Sequence, residues 1–92
     1  MIRTFRHKGL ERFFRRSDAR KIPADRAARI KRMLDRLDVA EVPGDMDLPG
    51  WGFHPLKGQM KGRYACSVSG NDRLTFAFDE KDAIEVDLED YH

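Results

Sequence analysis

Residues 64–78 read Tyr64-Ala65-Cys66-Ser67-Val68-Ser69-Gly70-Asn71-Asp72-Arg73-Leu74-Thr75-Phe76-Ala77-Phe78. Tyr64, Cys66 and Val68 alternate with Ala65, Ser67 and Ser69. Leu74, Phe76 and Phe78 alternate with Arg73, Thr75 and Ala77. A two-residue period is that of a half-buried strand, and Gly70-Asn71-Asp72 between the runs is a hairpin turn signal. After Asp79-Glu80-Lys81-Asp82, the same alternation resumes, with Ile84, Val86 and Leu88 against Glu85, Asp87 and Glu89. The C-terminal half therefore predicts an antiparallel meander with one apolar and one polar face.

The N-terminal half has a different period. Ile2-Arg3-Thr4-Phe5 suits a short edge strand. Leu10, Phe13 and Phe14 then recur at helical spacing within 8–16, and Ser17-Asp18 marks the end of that helix. A second helix is expected to start near Pro23, tolerated in a first turn, and to run to about Leu37. Ala27, Ile30, Met33, Leu34 and Leu37 form its apolar stripe. Residues 38–52 carry Pro43-Gly44 and Pro49-Gly50 and read as a loop, with Trp51 and Phe53 anchoring its end. The expectation is an α+β fold, two N-terminal helices packed on one face of a small, mainly antiparallel sheet of three or four strands, in one domain spanning 1–92.

Charge is divided unevenly along the 92 residues. Residues 1–36 hold thirteen Lys/Arg against four Asp/Glu, and residues 37–92 hold five against twelve. A positive half of this density suits a polyanion or an acidic partner, and equally suits two halves that neutralise each other on folding. Arg26, Arg29, Arg32 and Arg36 share one arc of the second helix, either a solvated face or a surface for nucleic-acid phosphates or an acidic partner. The chain has no apolar run long enough for a transmembrane helix and no N-terminal h-region, so a cytoplasmic protein with no membrane partner is expected. Cys66, in an apolar run, reads as a small core residue rather than a nucleophile. His7, His54 and His92 share no metal-ligand spacing.

Chemistry-bearing residues gather in two places. Phe53-His54-Pro55-Leu56-Lys57-Gly58 puts an imidazole and an ammonium three residues apart after a loop. The chain closes on Asp90-Tyr91-His92, a carboxylate, a phenol and an imidazole. Arg73 opens the middle strand on its polar face, where Glu85 or Asp87 is an ordinary ion-pair partner. Taken singly, each of these residues also has a structural reading. Together they supply proton-transfer groups and fixed cations without a nucleophilic side chain, which suits a substrate that brings its own nucleophile. RNA does: its 2′-hydroxyl attacks the adjacent phosphate, given a base, an acid and cations on the phosphate.

His54-Pro55-Leu56-Lys57-Gly58, the stretch 67–76 and the closing Glu89-Asp90-Tyr91-His92, with the opening residues 2–14, closely resemble the HigB toxins of the RelE superfamily. The likeness spans essentially the whole chain. It implies the RelE-like microbial ribonuclease fold. It also implies a metal-free, cofactor-free endoribonuclease of a type II toxin-antitoxin pair that cuts mRNA in the ribosomal A site, inhibiting translation and growth. His54, Asp90, Tyr91 and His92 would be the catalytic residues, and Lys57 and Arg73 would hold the phosphate. The implied partners are a HigA-type helix-turn-helix antitoxin, the ribosome, and operator DNA only through that antitoxin. A toxin-like module that binds antitoxin or RNA without catalysis is the alternative. Three positions depart from the pattern: Asp72 where an aromatic often precedes the strand arginine, Tyr64 where Trp is expected, and a turn at Glu80-Lys81-Asp82 that lacks glycine. A regular strand points Asp72 away from Arg73.

Overall fold

The computed structural model describes residues 1–90. Tyr91 and His92 lie outside the described residues. Among the described residues the chain forms two α-helices, α1 (Lys8–Arg16) and α2 (Ala27–Val39), and four strands. The strands are β1 (His54–Pro55), β2 (Tyr64–Ser67), β3 (Asp72–Asp79) and β4 (Asp82–Asp90). They make one sheet in the order β1-β2-β3-β4, with every adjacent pair antiparallel.

Helix α1 covers the expected residues. The His7 Nδ1 accepts the Leu10 N–H at 2.9 Å and caps the start. At the other end Ser17 takes a left-handed φ of 57°, and its N–H reaches the Phe13 carbonyl at 3.1 Å. The second helical segment starts as a 3₁₀ turn, Ala24–Arg26, and becomes α-helical only from Ala27 to Val39. Helix α2 buries Ile30, Met33, Leu34 and Leu37. These residues, with Leu10 and Phe13 of α1, form one cluster with Cys66, Leu74, Phe76 and Val86 of the sheet. Truncating one of the fully buried leucines to Ala should cost about 2–5 kcal/mol.

The N-terminal segment pairs with the outer edge of β4. Ile2 bridges Ala83 and Phe5 bridges Val86, both in parallel. The Ile2 N–H also donates to Asp38 Oδ1 at 2.9 Å, which fastens the segment to α2.

One expectation about β4 is corrected. The register pairs Thr75 with Asp87 but Ala77 with Ile84, so a bulge lies between them. Alternation therefore breaks: Ala83 is buried with the core, and Ile84 moves to the row of Ala77 on the opposite face. The bulge places Glu85 at a φ of 51°, strained for a residue other than glycine. Thr4 Oγ1 accepts its N–H at 2.8 Å, and an Arg63 Nη2 donates to its carbonyl at 2.8 Å. A single-strand pattern cannot reveal this shift, because both partners of the bulge come from distant segments.

The arginine arc of the second helix divides: Arg32 and Arg36 are exposed, as on a solvated face, while Arg26 and Arg29 are half-buried. Arg26 pairs with Asp72 at 3.0 Å, and Arg29 Nη2 donates to the carbonyls of Gly50 at 2.7 Å and Ser67 at 2.8 Å. Arg36 Nε donates to the Asp45 carbonyl at 2.9 Å. Arg26, Arg29 and Arg36 thus tie the helix to the loop and the sheet.

Candidate active site

The face of the sheet opposite the core cluster carries the candidate site. Antiparallel register aligns side chains across strands, and His54, Ala65, Thr75 and Asp87 fall in one row. Ser67, Arg73 and Glu89 fall in the next. With strands ~4.8 Å apart, His54 and Thr75 stand about 10 Å apart along that row. Ala65 between them is fully buried, as is Thr75.

His54 is exposed, and its Nδ1 lies 2.8 Å from the Gly52 carbonyl. A carbonyl only accepts, so this bond needs the proton on Nδ1, which leaves Nε2 as the ring atom that faces a substrate. Gly52 is required on two counts. Its φ is 58°, and a Cβ there would meet the Ser67 Oγ at 3.1 Å. The Ser67 N–H to Trp51 carbonyl bond, 2.8 Å, holds this loop end against β2. Phe53 stacks on Tyr64 with ring centroids 5.7 Å apart, so both aromatics anchor the segment that presents His54.

Arg73 pairs with Glu89, Nη2 to Oε1 at 3.5 Å, and not with Glu85 or Asp87. The register decides this, since Glu89 lies directly opposite Arg73. Glu89 Oε2 in turn accepts from Thr75 Oγ1 at 2.5 Å, and Thr75 Oγ1 accepts from Arg63 Nη2 at 2.9 Å. A relay therefore runs from Arg63 through Thr75 and Glu89 to Arg73. Thr75 is fully buried and Arg63 is 6% exposed, although both belong to the sheet's second face. Burial lowers the Arg63 pKa below its ordinary value, opposed by the nearby Glu89, Glu85 and Asp87.

Lys57 is exposed and starts the turn Gly58–Met60, beyond β1. The Leu56 N–H to Arg63 carbonyl bond, 2.9 Å, closes the base of this turn. Asp90 is exposed at the end of β4, opposite Asp72 and one residue on from Glu89. Alternation puts it in the row of Asp72 rather than that of Arg73. Sequence reasoning placed Tyr91 and His92 beside Asp90, and both lie outside the described residues. It missed Arg63, Thr75 and Glu89. The strand period could have put all three on the face of Arg73, but their burial and mutual bonding depend on the register.

Residues 3–92 match the model of a family described as RelE-like toxin of type II toxin-antitoxin system HigB. The chain belongs to this HigB-like toxin family. It is 37% identical over 92 residues to a protein of Proteus vulgaris named Endoribonuclease HigB, covering 100% of each chain. Membership in a toxin-antitoxin family implies an antitoxin partner. No helix among the described residues is long and apolar enough to cross a membrane.

In this HigB-like chain Asp72 stands beside Arg73 without opposing it. The Asp72 carboxylate faces Arg26 of the helical layer, while Arg73 faces Glu89. The thiol of Cys66 takes no part in the face either: it is buried, sits 3.8 Å from the Met46 carbonyl, and burial pushes its pKa up to about 12. A thiol so raised is a poor nucleophile at neutral pH.

Proposed function

We propose that residues 1–92 form one RelE/HigB-like toxin domain, with both helices packed on one face of the sheet, that works as a ribosome-dependent mRNA endonuclease. The single observation that carries the reading is the pairing register, which aligns the His54 and Arg73 rows on one face across three strands. The similarity to a protein named Endoribonuclease HigB supports the same activity.

In this mechanism the mRNA lies across this face of the sheet in the A site. The 2′-oxygen attacks the adjacent phosphorus, the bond to the 5′-oxygen breaks, and the products carry a 2′,3′-cyclic phosphate and a 5′-hydroxyl. One proton leaves the 2′-hydroxyl and one reaches the 5′-oxygen. His54 and His92 serve as the proton-transfer pair, and the Nε2 lone pair of His54 fits the base. Asp90 orients or tunes His92, and Tyr91 stacks on a base or positions the phosphate. Lys57 and Arg73 hold the phosphate as negative charge builds on it, the kind of stabilisation that usually dominates such sites. The nucleophile is the substrate's own, so the chemistry needs no metal ion.

The expected setting is the cytoplasm, where a HigA-type helix-turn-helix antitoxin neutralises the toxin and links it to operator DNA. Induced expression in bacteria, wild type beside His92→Ala, with RNA 5′ ends mapped during growth, tests the reading. Wild type should arrest growth and create new ends inside translated codons, and the variant should do neither. If both are harmless, or both arrest growth without new ends, a non-catalytic binding module replaces it.

A further inference from the structure

Arg63 stands one residue before β2 and reaches across β3 to β4. Its Nη2 donates to Thr75 Oγ1 at 2.9 Å and to the Glu85 carbonyl at 2.8 Å. The residue is 6% exposed, and its Nε and Nη1 are buried with no hydrogen-bond partner among the described residues. As a packing element it is a poor choice, because an apolar side chain of similar volume would fill the place without a buried charge. Idle donors on a buried cation call for a functional reason.

The direction of the hydrogen bonds supplies one. A guanidinium only donates, so the Thr75 oxygen must accept from Arg63. A carboxylate only accepts, so the Thr75 hydroxyl hydrogen goes to Glu89 Oε2, 2.5 Å away. With Oε2 held in this way, Oε1 is the oxygen that meets Arg73 Nη2, at 3.5 Å. Thr75 is fully buried, whereas the Arg73 and Glu89 side chains are 20% and 22% exposed. The chain of bonds therefore runs from a sealed cation to a cation at the surface. Charge follows the same line. The carboxylates of Glu85, Asp87 and Glu89 act on Arg63, and Arg6 lies near enough to act on it too. Arg6 pairs with Glu85 at 3.3 Å. Arg6, Arg63 and Arg73 thus balance Glu85, Asp87 and Glu89 one for one. Without Arg63 this part of the face would carry a net negative charge, which repels a phosphate.

We propose that Arg63 and Glu89 are positioning residues for the RNA-cleavage step: Arg63 orients Thr75 and offsets the carboxylates, and Glu89, held by Thr75, fixes the Arg73 guanidinium where it meets the phosphate. The proposal rests on the endonuclease reading. Arg63 is too buried to touch RNA, and a carboxylate is repelled by it, so both residues act through Arg73.

Cleavage of mRNA on programmed ribosomes tests the proposal. Glu89→Gln and Arg63→Met should each lower kcat about tenfold, the scale of a misplaced catalytic group. KM should stay within about twofold, since the loss falls on the transition state. In an Arg73→Ala background either substitution should lower kcat by less than about twofold further, because the residue they act through is gone. A merely structural role would make the losses additive, and additive losses overturn the proposal. Glu89→Gln keeps the side chain's shape at a half-buried position, so it decides the matter if Arg63→Met fails to fold. Faster cleavage in Glu89→Gln would mean that Glu89 competes with the phosphate for Arg73, and also overturns the proposal. Relaxation of the ¹⁵N-labelled Arg73 Nε–H in the free protein reads positioning without catalysis. Its order parameter should fall in both variants, and unchanged order rejects the clamp. Wild-type cleavage with unchanged Arg73 order rejects the positioning roles alone. Arg73 order lost in the variants, with no cleavage by wild type, rejects the endonuclease reading and with it the catalytic purpose of the clamp.

Discussion

Asp72 and Arg73 are neighbours in β3, yet their side chains serve opposite faces of the sheet. The Asp72 carboxylate lies 3.0 Å from the Arg26 guanidinium on the helical side, and the Arg73 guanidinium lies 3.5 Å from Glu89 on the other. A carboxylate adjacent in sequence to a phosphate-binding cation would weaken it only if the two shared a face. Strand alternation separates them, and Arg26 gives the carboxylate a partner.

Asp72→Asn should therefore be a stability variant. Removing the charge from a partly buried pair should cost about 1 kcal/mol by chemical denaturation. Cleavage by the folded fraction should stay within about twofold of wild type. A larger fall in activity at full folding would mean that Asp72 acts on the RNA side.

The relay through Thr75 makes a different prediction. Thr75→Val keeps the shape but removes the hydroxyl that joins Arg63 to Glu89. Leaving a buried partner unsatisfied should cost about 1–3 kcal/mol. Because Glu89 also pairs with Arg73, cleavage should drop as well, and Thr75→Ser should restore both. Equal activity and stability in the valine variant would show that the relay does not position Arg73.

The turn between β3 and β4 carries stored strain. Glu80 takes a φ of 56°, a conformation that favours glycine. Glu80→Gly should relieve roughly 0.5–1 kcal/mol net, since the left-handed strain of about 1–2 kcal/mol exceeds the added chain entropy of glycine. Thermal melting of the two proteins checks it, and a lower melting temperature for the glycine variant contradicts it.

Cys66 links stability to alkaline pH. Burial raises its pKa from 9.0 to about 12 in the folded chain. The folded state thus keeps the proton where the unfolded chain releases it. The contribution is fully present below pH 9 and is lost as pH rises from 9 towards 12. Stability of wild type should fall faster over that window than that of Cys66→Ala, measured by denaturant titration at each pH. A thiol reagent at neutral pH should label Cys66 only after unfolding.

Part of the candidate site is legible in the sequence. His54 and Lys57 stand out because they fall three residues apart after a loop, Arg73 because it opens the middle strand, and Asp90 because it precedes Tyr91-His92. Arg63, Thr75 and Glu89 do not stand out. A threonine and a glutamate in strands are ordinary, and Arg63 looks like one more surface cation until the fold buries it.

By itself, the order of residues determined the element types and the family. Helical spacing of Leu10 and Phe13, and of Ile30, Met33, Leu34 and Leu37, marks two amphipathic helices. Two-residue alternation from Tyr64 to Phe78 marks the hairpin, because local side-chain period follows directly from backbone geometry. The tertiary structure alone decided which charges meet. Arg26 turned to Asp72, Arg29 to Ser67 and Gly50, and Arg73 to Glu89. The bulge before Asp87 moved Ile84 off the core face. Each of these depends on strand register and helix placement, which are set by contacts between segments far apart in the chain, and no local period encodes them.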